Sequence, residues 1–291
     1  MGGFAVATRK GLLLCAMAAL AAAPAGADNL PLEYRLFPSG TRLLAVRYVQ
    51  SWGGDFNVRG ETVDSEFDYG DQMGQVAMAY YGGEKLRYLL YAALPFGRTE
   101  ASSDVLGLDA ESSGLGDGYV VLGLMPIVRE RYHIGLSGWL IFPTGEYDSR
   151  QLVNQGLNAW SARIEGNWTW RPRPDWTLEV TSGLRWFEDN HDFGPMSATL
   201  ERAPRGLFET HLTKQVRPGR FLSVDYYYHW GSETTVNGVE RDDAWDDHAL
   251  QVTAQWKFKS PRMLTVWYRN DFVVRNGPEY QSIGVRLMQS F

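Results

Sequence analysis

Trp160-Ser161-Ala162-Arg163-Ile164-Glu165-Gly166-Asn167-Trp168-Thr169-Trp170 decides the fold. Trp160, Ala162, Ile164, Gly166, Trp168 and Trp170 fall on one face of an extended chain, and Ser161, Arg163, Glu165, Asn167 and Thr169 on the other. Side chains alternate along a strand, so one face is apolar and the opposite face polar and charged. Trp176, Leu178, Val180, Leu184 and Trp186 repeat the pattern against Thr177, Glu179, Thr181 and Arg185. Between the two runs lies Arg171-Pro172-Arg173-Pro174-Asp175, whose prolines donate no backbone hydrogen bond and turn the chain. The pair reads as a hairpin.

The same rhythm extends both ways and predicts twelve strands, at about 42–51, 71–81, 85–96, 117–128, 131–143, 158–170, 176–187, 205–216, 220–231, 247–258, 262–274 and 280–291. Their connections alternate in length. Gly82-Gly83-Glu84, Arg129-Glu130, the Pro172 turn, Arg217-Pro218-Gly219 and Lys259-Ser260-Pro261 are short; 52–70, 97–116, 144–157, 188–204 and 232–246 are long and polar. Short turns at one end and long loops at the other, with an even strand count, are the asymmetry of an outer-membrane barrel. A soluble sandwich has no reason to sort its turns by length. Trp168, Trp170, Trp176, Trp256 and Phe258 stand near short turns, and Trp186, Tyr226, Tyr228 and Trp230 near long loops. Such rings suit the headgroup level at the two membrane faces. The expected fold is therefore all-β, a single antiparallel transmembrane barrel of twelve strands spanning residues 42–291.

Composition agrees. The chain has 291 residues, with 28 Lys and Arg against 34 Asp and Glu, a balance that argues against a nucleic-acid partner. It is 44% apolar and 21% charged, too apolar for a disordered chain. Past the N-terminus no apolar run reaches the roughly 18 residues that a membrane helix needs; the longest, Tyr119 to Val128, contains Gly123 and Pro126. Residues 1–27 differ: Arg9 and Lys10, an apolar stretch from Gly11 to Leu20, then Ala25-Gly26-Ala27 make a cleaved secretory leader. Cleavage before Asp28 leaves 264 residues and takes the net charge from −6 to −8. The only cysteine, Cys15, lies in the leader; Leu14 before it is not small, which argues against lipidation there. Residues 28–41 are expected to be a periplasmic N-terminal segment. The end of the chain, Ile283, Val285, Leu287, Gln289 and Phe291 on one face, resembles the signal by which barrels are recognised for insertion, with Gln289 departing from it.

Pro38-Ser39-Gly40-Thr41, Leu94-Pro95-Phe96-Gly97, Gly114-Leu115-Gly116-Asp117 and Pro143-Thr144-Gly145-Glu146-Tyr147-Asp148, in this order, resemble the outer-membrane proteins of the phenol meta-pathway degradation family. Arg42, where Asn is usual, and Gly118, where Pro is common, mark a divergent member. The resemblance implies transport of small, often apolar molecules, and places Pro95, Gly114, Gly116, Asp117, Pro143, Thr144, Gly145, Tyr147 and Asp148 at the extracellular rim.

The polar faces point Arg47, Arg87, Arg163, Glu165, Glu179, Arg185, Glu209, His211, Asp225, His229, Arg269, Asp271 and Arg286 into the lumen. A charge facing lipid at the midplane costs about 2–4 kcal/mol, which directs these groups inward whatever the function. They form either a paired network or a selectivity lining. No catalytic residue, cofactor or metal is expected. His229 with Ser232 is the one hydrolase candidate, without a partnered third group; His133, His191, His211, His229 and His248 lack ligand spacing, and Glu188-Asp189, Asp242-Asp243 and Asp246-Asp247 read as solvated loop. The sequence reads as an exported Gram-negative outer-membrane channel for small hydrophobic or aromatic solutes, in contact with outer-membrane lipid and inserted by the barrel machinery. A general or narrow diffusion porin is the alternative, and an outer-membrane lipid hydrolase the third.

Overall fold

The computed structural model describes residues 28–259 and 261–291. The leader, with Cys15 and its cleavage site, lies outside the described residues. In chain order the strands are β1 Arg42–Val58, β2 Glu61–Asp64, β3 Asp68–Gly82, β4 Arg87–Ser103, β5 Leu108–Leu115, β6 Tyr119–Val128, β7 Tyr132–Ile141, β8 Ser161–Arg173, β9 Trp176–Phe187, β10 Asn190–Phe193, β11 Ala198–Arg202, β12 Arg205–Arg217, β13 Arg220–Gly231, β14 Thr234–Val236, β15 Val239–Glu240, β16 Trp245–Lys257, β17 Arg262–Val273 and β18 Gly277–Ser290.

Twelve of these, β1, β3, β4, β6, β7, β8, β9, β12, β13, β16, β17 and β18, pair antiparallel in sequence order, and β18 closes on β1. Closure removes the sheet edges that would otherwise leave backbone groups unpaired in lipid. At the seam Phe291 exchanges backbone hydrogen bonds with Arg42, at 3.0 and 3.2 Å. Burial is inverted relative to a soluble protein. Ile164, Val224 and Val252 are 57–59% exposed on the outer face, whereas Glu165, Glu209 and Asp225 are at most 1% exposed inside. Trp168 and Trp170 stack at 5.9 Å near the short-turn end of that outer face, and Tyr228 and Trp230 at 5.1 Å near the other.

Four of the five expected long loops contain strands. β1 runs on to Val58 and folds back as β2; β4 runs on to Ser103 and returns as β5. Their inner faces pack a cluster of Phe56, Phe67, Tyr69, Ala101, Leu106, Leu108 and Val153 over the mouth. The connections at 188–204 and 232–244 make a second sheet, β10-β11-β14-β15, around Phe193, Leu200 and Val236. Only residues 142–160 stay irregular.

The expectation of a periplasmic segment over residues 28–41 is corrected for residues 28–35. Residues 28–35 run inside the barrel, entering from the short-turn end, where Gly40 and Thr41 bond Tyr81, and reaching Asp28 high in the lumen beside His229 and Arg269. A turn at Leu30–Arg35 folds the segment on itself, with Leu30 packed among Val49, Met73 and Trp267.

Candidate functional site

Neighbouring strands are in register, so their inward residues form level rows. On the β8-β9-β12-β13-β16 wall the uppermost row is Arg163-Arg185-Arg205-Gly231-Trp245. Below it come Glu165-Gly183-Leu207-His229-Asp247, Asn167-Thr181-Glu209-Tyr227-Ala249 and Thr169-Glu179-His211-Asp225-Gln251. The carboxylates are met on all sides. Asp225 accepts from His211 at 3.1 Å, from Gln251 at 3.1 Å and from Ser223 and Thr253 at 2.5 Å each. Arg269 forks onto Asp271 at 2.9 and 2.8 Å and reaches Asp28 at 2.5 Å.

The inward segment supplies most remaining partners. Asn29 donates to Glu209 at 2.8 Å and to Glu165 at 3.3 Å, Leu32 N–H donates to Glu179 at 2.6 Å, and the Tyr34 hydroxyl donates to Glu165 at 3.0 Å. Glu33 pairs with Arg286, Arg35 donates to Gln255, and Arg87 donates to the Phe37 carbonyl at 3.3 Å. His133 lies 2.9 Å from the Tyr34 carbonyl. A buried carboxylate left unpaired would cost several kcal/mol, so these contacts fix the segment in the lumen.

Opposite the charged rows the wall changes character. β1, β3, β4, β6 and β7 turn Ala45, Ala77, Leu89, Tyr91, Tyr119, Val121, Met125 and Trp139 inward, around a cavity bounded on its other side by Asn29, Glu33 and Tyr34. Tyr91, Tyr119 and Trp139 form a run of stacked rings with centroids 6.0 and 5.2 Å apart. Gln75 donates to both tyrosine hydroxyls, at 3.0 and 2.8 Å, and satisfies them. Arg47 borders this cavity with its guanidinium 4.9 Å over Trp267.

The rim residues assemble at one place in the wall. β4 is continuous through Pro95, but its partner changes there: Ala93 pairs with Tyr119 of β6 and Phe96 with Leu115 of β5. The break falls at 116–118, where the Gly116 amide donates to the Pro95 carbonyl at 2.9 Å. β7 ends at Ile141, two residues before Pro143. Residues 142–160 fold across the gap. Asp117 accepts from the amides of Gly145 at 3.0 Å and Leu157 at 2.9 Å, and Thr144 accepts from Gly118 at 2.8 Å. Gly145 and Gly156 touch backbone to backbone; a Cβ on Gly145 would lie 2.6 Å from the Gly156 Cα. Gly114, at φ +141°, abuts Glu146. The Tyr147 hydroxyl donates to the Asp192 carbonyl at 2.9 Å, tying the loop to the cap. Arg150 pairs with Asp148 and holds its carboxyl pKa down at about 2.

A profile of the family described as "Putative MetA-pathway of phenol degradation" matches residues 54–287. The chain belongs to this family. Among solved structures, an outer membrane channel from Pseudomonas putida F1 is similar at 26% identity and TM-score 0.87, covering 91% of this chain and 100% of that one. The β domain of the Bordetella autotransporter BrkA (10% identity, TM-score 0.54, 87% of this chain and 100% of that one) shares the fold alone. So does the translocator domain of NalP from Neisseria meningitidis (14% identity, TM-score 0.52, 89% and 91%). No curated protein matches the chain.

Within this family member the hydrolase candidates do not meet among the described residues. His229 bonds Asp28 at 3.0 Å, while Ser232, at φ 63°, has a buried hydroxyl without a partner. Asp28, Glu209 and His229 bring three ligand atoms within 4.8 Å of one another. Arg269 already supplies the positive charge beside Asp28 that a metal ion would bring, so the group reads as an ion-pair network. Sequence reasoning missed Asn29, Tyr34, Gln75, Tyr91, Tyr119 and Trp139. The signal for Tyr119 was the run Tyr119 to Val128, apolar on both faces, which marks a strand with apolar surroundings inside as well as outside.

Proposed function

We propose that this protein is an outer-membrane channel for small hydrophobic or aromatic molecules and performs no chemistry on them. The observation that carries the reading is the ring-lined cavity beside the inward segment. A concave site with apolar walls and a few polar groups suits a small organic molecule, which gains by leaving water. The family and the likeness to the P. putida channel support the same role. In this reading the chain is exported by its leader, Phe291 presents the insertion signal, and lipid covers the apolar exterior. The clamped loop at Asp117 covers a sideways exit through the wall into the outer leaflet.

A narrow diffusion pore is the second reading, favoured by the charged rows. Reconstituted liposomes separate the two. Uptake of toluene should exceed that of empty vesicles while swelling in arabinose stays near background; brisk swelling with no gain in toluene uptake would favour the diffusion pore.

A further inference from the structure

Arg163 faces Arg185, and Arg185 faces Arg205, as direct cross-strand partners on the inward side. They are 2%, 5% and 3% exposed. Like charges placed directly opposite destabilise a sheet, the more so out of water, so the row is held against its own repulsion. Arg163 is paired with Glu165. Arg185 and Arg205 make no ion pair with any described residue. Arg185 donates from Nε and Nη2 to one neutral acceptor, the Ser161 hydroxyl, at 3.1 and 2.8 Å, and lies 4.8 Å over the Phe187 ring. Arg205 has only a ring: its guanidinium sits 4.7 Å over Trp245, and its buried Nε has no partner. Gly231, between Arg205 and Trp245 in the row, leaves the room for that reach. Arg202 of the cap lies 5.4 Å from the same Phe187 ring; burial lowers its pKa to about 10, which leaves it charged at neutral pH.

Two neighbouring cations, Arg185 and Arg205, that meet no carboxylate at ion-pair distance among the described residues are built for an anion from outside. Arg205 lines a cavity in the upper lumen, together with Trp245, Tyr69 and Tyr280. Asp28, Asp71, Asp247, Asp271 and Arg269 line it too; Arg269 pairs with Asp28 and Asp271, and the remaining carboxylates repel an anion of higher charge. A single negative charge carried on an apolar body fits both halves of the lining. Planar guanidinium forks match a carboxylate, and aromatic rings match a flat hydrocarbon.

We propose that Arg205 receives the carboxylate of an apolar monocarboxylate, an aromatic acid being the simplest, whose body lies against Trp245 and Tyr280, while Arg185 beside it in the row adds to the positive field. The apolar body rests on the transport reading above; the charged head does not.

Calorimetric titration of the purified full barrel in detergent, with sodium benzoate, benzyl alcohol and inorganic phosphate as probes, tests this. Benzoate should bind roughly tenfold or more tightly than benzyl alcohol, a gap of about 1.4 kcal/mol, and phosphate should not bind. Arg205→Gln should abolish that gap and Arg185→Gln should narrow it, each leaving benzyl alcohol unchanged, in protein shown to be folded by its heat-modifiable mobility. If the variants do not fold, the wild-type protein still decides, because benzoate affinity should fall with added salt and benzyl alcohol affinity should not. Equal binding of benzoate and benzyl alcohol, or benzoate binding that survives both substitutions or is indifferent to salt, overturns the proposal. Phosphate binding as tight as benzoate overturns it in favour of an inorganic-anion site. Arginine-dependent benzoate binding in a barrel that fails to take up toluene would uphold the site and sink the transport reading alone.

Discussion

Glu165 shows what a single lumen residue does. Only 1% exposed, it takes an ion pair from Arg163 and hydrogen bonds from Asn29, Tyr34 and Ser137, so it joins β8 to β7 and to the inward segment at once. Removing one member of a buried pair strands the other charge, at a cost of roughly 3–5 kcal/mol, whereas removing both with apolar groups of similar volume is often neutral. Arg163→Met should therefore lower the urea midpoint of the barrel in vesicles sharply, and Arg163→Met/Glu165→Leu should recover part of the loss, the rest being the acceptor that Asn29, Tyr34 and Ser137 lose. A double variant no more stable than the single one would show that Glu165 gains little from Arg163. That Arg163 and Glu165 face inward was legible from alternation alone. Their partners in the segment were not, because Asp28 to Phe37 is too short and too mixed to carry a period, and nothing local distinguishes a free arm from one folded into a lumen.

At the scale of the strand, alternation holds only where one face meets lipid. This is why β8 and β9 were legible to within a few residues and the upper parts of β1 and β4 were not. Gly97 to Ser103 is polar on nearly every residue because neither face of that stretch needs to be apolar, yet it pairs with β3 and β5 as regularly as the membrane part does. The lower wall has the opposite ambiguity at β6, apolar on both sides. Val252, 57% exposed and paired with Val224 near the middle of β13, tests the lipid face. Val252→Arg should destabilise the inserted barrel by about 2–4 kcal/mol. The inner face does not simply tolerate charge: Thr181 is fully buried and bonded to Asn167 at 2.8 Å, so Thr181→Arg should fail by overpacking. Thr253, equally buried, should behave the same way. Urea titrations of the three variants in one lipid check this, and a lipid-face variant as stable as the wild type would mean that the strand lies above or below the bilayer.

For the whole molecule the question is which way a solute leaves. In the expected orientation the C-terminal end of β18 and the short turns face the periplasm. Protease added to intact cells should then cut within 188–204 or 232–244, and cutting at Pro174-Asp175 instead would invert the barrel. Given that orientation, the axial path is crossed by residues 28–35, which are held by ion pairs and hydrogen bonds to several strands, whereas the wall at 116–118 is closed only by the irregular loop 142–160. That loop is held by hydrogen bonds and one buried side chain: two amides on Asp117, one on Thr144, Gln155 donating to Thr99 and to the Ser112 carbonyl at 3.2 Å each, Glu146 N–H donating to the Leu115 carbonyl at 2.7 Å, Asn158 donating to Asn190 at 2.9 Å, Tyr147 donating to the Asp192 carbonyl at 2.9 Å, and Val153 packed in the cap cluster. Local opening follows the weakest set of contacts, and a loop held this way opens at less cost than a segment that would strand Glu165, Glu179 and Glu209. Ser112→Cys/Gln155→Cys, joined by a short bis-maleimide, should hold the loop shut in an otherwise unchanged barrel. Toluene uptake should then fall several-fold relative to the same protein before linking, while the small background leak of arabinose stays as it was. If the linked barrel takes up toluene at the unlinked rate, the solute passes along the axis, and it is the inward segment that must move.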